Sequence, residues 1–143
     1  MMSHWKAIRL GIVGFSFVSA LFGSVTLAAA PPMTWFAVGV ICSAFPIAMV
    51  VGFGILFILR GPRLDWHPPS WEKNPLNFSH PEEFFHLGAF VMLSTGVAAI
   101  IRALATTGKI TPDTLIPISM GIGVWVGLRL LTAAYLRQPR NGT

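Results

Sequence analysis

The hydrophobic pattern divides the chain into long uncharged runs with one long polar interruption. After Arg9 no charged residue occurs until Arg60. Crossing the hydrocarbon as a helix takes ~20 residues, so this stretch predicts two spans. Pro31-Pro32 marks the break, because proline cannot continue a helix and restricts the residue before it. Helix 1 is predicted over about 8–30 and helix 2 over about 33–59, kinked at Pro46. Phe84 to Ile101 is again uncharged and predicts helix 3 over about 82–105. A short loop containing Gly108 and Lys109 leads to helix 4, over about 112–136, which carries one charge, Arg129. The fold class expected is all-α: a polytopic membrane protein, a four-transmembrane-helix bundle forming a single membrane domain.

A basic start, an apolar core and Ala28-Ala29-Ala30 also fit a secretory signal cleaved after Ala30. The apolar run from Leu10 to Ala30 is longer than the ~7–15 residues of a signal core, and proline follows directly. Helix 1 is therefore expected to be retained.

The polar interruption, residues 60–81, is too short to fold as an independent domain. Pro62, Pro68, Pro69, Pro75 and Pro81 preclude a long helix within it. Trp66, Trp71, Leu76 and Phe78 alternate with polar residues, a composition suited to the headgroup level, where an indole keeps one edge wet. These four are the expected interaction residues of the loop, toward lipid or a protein partner. Ser79 with Glu82 three positions on predicts a capping box at the start of helix 3. Thr111 followed by Pro112 predicts a second capped start, for helix 4.

Composition strengthens the membrane reading. The 143 residues are 54% hydrophobic and only 10% charged, against about 25% charged in an ordinary soluble domain. The net charge of +5 sits in short runs beside apolar segments rather than on one polar face, which excludes a nucleic-acid partner. Lys6, Arg9, Arg60, Arg63, Lys73, Arg137 and Arg140 lie on one side of a four-span topology, and Arg102 and Lys109 on the other. That bias predicts a cytoplasmic loop and cytoplasmic termini, in a bacterial inner membrane. The single cysteine, Cys42, lies in an apolar run and is expected to be a small packing residue.

Small residues at four-residue spacing let membrane helices approach closely. Helix 4 carries Gly123 and Gly127, helix 1 Ser16 and Ala20 or Ser19 and Gly23, helix 2 Gly39 and Ser43 and then Ala48 and Gly52, and helix 3 Ser94-Thr95-Gly96 and Ala98-Ala99. They are expected to serve helix packing, or self-association.

Chemistry is sparse. Glu82-Glu83-Phe-Phe-His86 brings two carboxylates and an imidazole onto neighbouring faces of one helix. A di-iron bundle needs two such motifs with further carboxylates, and this chain has one copy. His67, His80, Glu83 and His86 are weak candidates for a single metal ion. Haem would need a second axial ligand at the depth of His86, and none lies opposite it. No catalytic arrangement is present and no cofactor is called for. Arg129 is predicted to pair with Glu83 or Glu82 at similar depth, with help from the face of Trp125, because an unrelieved charge in a span costs ~2.5–3.5 kcal/mol. No acidic residue lies deep in a span to couple transport to protons.

The function expected is that of a non-catalytic accessory or scaffold subunit, binding membrane lipid or other membrane subunits through its loop. The alternatives are a metal- or haem-dependent redox component and an oligomeric small transporter or channel.

Overall fold

The computed structural model describes residues 2–22, 34–60, 67–77 and 79–137. Four α-helices follow one another: α1 (His4–Phe22), α2 (Trp35–Arg60), α3 (Pro81–Thr106) and α4 (Ile116–Leu136). Each is long and apolar enough to cross a membrane. The shortest, α1 at 19 residues, spans ~28 Å at ~1.5 Å per residue, close to the hydrocarbon thickness of ~30 Å. Pro46 lies inside α2. The Pro31-Pro32 break, the Ala28–Ala30 site, Trp66, Phe78 and the tail beyond Arg137 lie outside the described residues.

Two starts differ from the sequence reading. The residue before α3 is His80, and no side chain caps the helix. The capping box between Ser79 and Glu82 does not form, because Glu82 turns back to accept the backbone N–H of His67, at 3.3 Å. Pro112–Leu115 forms a 3-10 turn, and α4 begins only at Ile116, with no side-chain cap. At the other end of that connection Gly108 has a φ of 69°, a left-handed conformation that lets its N–H close on the Ala103 carbonyl at 3.1 Å.

The long helices neighbour one another in the order α1–α3–α4–α2. No other pair of them is in contact among the described residues. Consecutive elements usually lie side by side, yet α1 and α2 do not touch there. The middle of the row is made by two stripes on α3. Phe85, Ala89, Leu93 and Gly96 follow the four- and three-residue spacing of one helical face and meet α4. A Cβ at Gly96 would stand 2.8 Å from the backbone nitrogen of Ile118, and one at Gly121 would stand 2.9 Å from the Ala89 carbonyl oxygen. Glycine at both positions is what lets the two backbones come together. Ala89, Val124 and Leu128 form the core between them, with Phe85, Leu131 and Tyr135 packed around it. Gly123 and Gly127 of α4 are buried.

The second stripe of α3, at Glu83, His86, Phe90 and Ser94, faces α1 and the loop. The Ser94 hydroxyl lies 3.4 Å from the Val13 carbonyl of α1, while it donates to Val91 within its own helix at 2.9 Å.

Candidate functional site: a buried polar cluster under the loop

The second turn of α1, at Arg9, meets the first two turns of α3, at Glu83 and His86, at the end of the molecule that carries the loop. Arg9 is fully buried there, with 0% of its surface exposed. All three guanidinium nitrogens are used. Nη2 donates to Glu83 Oε2 at 2.6 Å, Nε donates to the Lys73 carbonyl at 3.0 Å, and Nη1 lies 3.2 Å from His86 Nδ1. A guanidinium has donors and no acceptor, so His86 Nδ1 is the acceptor and the ring proton sits on Nε2. Such a fork matches a carboxylate closely and is the usual choice for a buried ion pair.

Glu83 also ties down the loop. Its Oε2 accepts the Ser70 backbone N–H at 3.2 Å, and its Oε1 lies 3.9 Å from Lys73 Nζ. Arg9 therefore grips the loop at Lys73 while its partner carboxylate grips it at Ser70. Farther out, Lys6 stands 3.7 Å from Glu72, an exposed pair worth little by itself.

The described part of the loop is pre-folded by its own short-range chemistry. Asn74 Oδ1 accepts from the Leu76 N–H, Asn77 Oδ1 from the Ser79 N–H, and Ser70 Oγ from the Glu72 N–H. These side chains imitate backbone turns. Pro68, Pro69 and Pro75 fix φ at three further positions, and Pro75 is fully buried. Trp71 folds inward. Its ring centroid lies 5.4 Å from that of His86 and 4.7 Å from that of Phe90, and the latter two are 5.0 Å apart.

Several expected sites are arranged differently. Trp71 is packed on the bundle instead of being offered outward, whereas Leu76 is 66% exposed. The expected partner of Glu83 was Arg129; the observed one is Arg9. The reason is topological. Glu83 lies on the α1 side of α3, and α4 packs on the other stripe. Arg129 makes the expected contact with the face of Trp125, its guanidinium carbon 5.2 Å from the ring centre. It does come near His86, since both line a cleft of about 80 Å³ together with Pro68, Pro69, Trp125, Leu128 and Thr132.

The four metal candidates separate in the same way. Glu83 and His86 are taken by Arg9. His67 and His80 converge instead with Glu82, and one ligand atom from each lies within 4.8 Å of the others. The two imidazoles meet edge to face, with centroids 4.9 Å apart at 84°.

Arg9 is the residue that sequence reasoning missed. A signal was present: the charge count that puts Arg9 on the loop side also puts it at the level of the first turn of helix 3. Comparison with protein families, with curated proteins and with solved structures returns no match to this chain.

Proposed function

We propose that this protein is a non-catalytic accessory subunit of a membrane protein assembly, and that its loop is a rigid docking element. The observation carrying this reading is the fastening of the loop segment 67–73 to the helix ends by buried charges, at Lys73 through Arg9, at Ser70 through Glu83 and at His67 through Glu82. A loop ordered before binding loses less entropy when a partner arrives. It offers Leu76, Glu72 and Lys73 at its surface, an apolar contact flanked by charges of both signs. The distribution of Lys and Arg supports a cytoplasmic loop and cytoplasmic termini, in a bacterial inner membrane. The end helices α1 and α2, each with a single long-helix neighbour among the described residues, leave broad apolar faces to lipid or to adjoining subunits.

The test is isolation from native membranes in mild detergent, with a photo-crosslinking residue at position 76. A complex of one size, with the crosslink falling on one identified membrane protein, supports the reading. A protein recovered alone, crosslinked only to lipid, contradicts it. The alternative of a metal-dependent component draws support from one feature, the convergence of His67, His80 and Glu82.

A further inference from the structure

We propose that His67, His80 and Glu82 form a binding site for one divalent transition-metal ion, of the zinc type. Among the described residues they are the group whose nitrogen and oxygen ligand atoms lie within 4.8 Å of one another. Ligation would draw these atoms to about 2.0–2.2 Å from a shared centre, a contraction that side-chain rotation can supply at a loop–helix junction.

The surroundings favour a cation. Glu82 is 1% exposed, and a buried carboxylate is costly without a matching positive charge. Arg9 and Lys73 are directed at Glu83. Among the described residues, the one basic group within ion-pair distance of Glu82 is His80, whose Nδ1 is 3.3 Å from Glu82 Oε1. That same Nδ1 is buried and makes no hydrogen bond of acceptable geometry. A bound cation would use the imidazole lone pair and balance the carboxylate together.

The carboxylate is also held in place from behind, as ligands of a metal usually are. Its Oε1 accepts the backbone N–H of His67 at 3.3 Å, so the residue bringing one imidazole also orients the carboxylate. Two imidazoles and one carboxylate select zinc and its neighbours over magnesium or calcium, which prefer all-oxygen sets. Three protein ligands leave a fourth tetrahedral position for water or for a donor from another molecule. The ion would join the beginning of the described loop, at His67, to the first turn of α3, at Glu82, beside the clamp made by Arg9.

The inference rests on this cluster and not on the accessory-subunit reading; a metal site stands even where no partner protein is found, and the reverse. The test is a Zn²⁺ titration of the full chain, purified without a polyhistidine tag and stripped with chelator, read by calorimetry and by the thermal unfolding midpoint. The wild type should bind one equivalent and unfold at higher temperature when loaded. His67→Gln and His80→Gln should each weaken binding by at least about tenfold and lose the thermal shift, while His4→Gln, outside the cluster, should behave as wild type. Absence of stoichiometric binding by the folded wild type would overturn the proposal, and this arm depends on no variant folding. Undiminished binding by either His67→Gln or His80→Gln would overturn it as well.

Discussion

Arg9 Nη2 and Glu83 Oε2 stand 2.6 Å apart across 74 positions of sequence, with both side chains almost wholly withdrawn from the surface, at 0% and 1% exposure. One contact joins the second turn of α1 to the first turn of α3 and, through the other atoms of the same groups, the loop that precedes α3. The energetics depend on completeness. A buried pair repays its desolvation only when the remaining donors and acceptors are also satisfied. Arg9 meets that condition with contacts to Glu83, His86 and the Lys73 carbonyl, whereas Glu83 meets it at Oε2 and has at Oε1 no hydrogen bond, only the Lys73 ammonium at 3.9 Å.

Trp71 should hold the loop down by packing. Trp71→Ala removes the ring set against His86 and Phe90, and for a half-buried aromatic the cost should be about 3 kcal/mol or less. Limited proteolysis of the purified protein should become faster within residues 67–80, with Trp71→Phe largely restoring resistance. Leu76→Ser, at an exposed position, should leave the cleavage rate at the wild-type level.

The close approach of α3 and α4 makes a contrast between glycines. Gly96→Ala sets a methyl group against the Ile118 backbone and should destabilise by about 1–3 kcal/mol, as overpacking does. Gly39→Ala in α2 meets nothing within 4 Å and should cost nothing, since alanine is the better helix former. Unfolding midpoints of the two variants in detergent check both statements.

Topology has a direct readout. In a Cys42→Ala background, Lys109→Cys should react with a membrane-impermeant maleimide in intact cells. Leu76→Cys should react only after permeabilisation. Labelling of Leu76→Cys in intact cells would contradict the proposed orientation.

The sequence made the spans legible because each is a long run free of charge, bounded by prolines or basic residues. Four spans also imply that both termini share a side with the central loop. Lateral order was not legible. That α3 touches both α1 and α4 depends on which small residues face which neighbour, and Gly96 and Gly121 look no different in sequence from Gly39 and Gly52. Depth alone pointed to Arg129 as the partner of Glu83 and did not bring in Arg9; the side of α3 on which Glu83 lies decides for Arg9. Trp71 was misjudged for a similar reason. An indole suits a headgroup layer and a small aromatic cluster equally well, and the presence of Phe90 one turn beyond His86 decides for the cluster.

The central claim is that Arg9 and Glu83 act as one clamp, and a double-mutant cycle on unfolding free energy in detergent tests it most directly. Arg9→Gln and Glu83→Gln should each destabilise by about 3–5 kcal/mol, because each leaves the other charge buried and unmatched. The double variant should fall short of the sum by about 1–3 kcal/mol. Glu83→Gln combined with Arg129→Gln should instead be additive to within about 0.5 kcal/mol. Additivity between Arg9 and Glu83, or strong coupling of Glu83 to Arg129, would contradict the account.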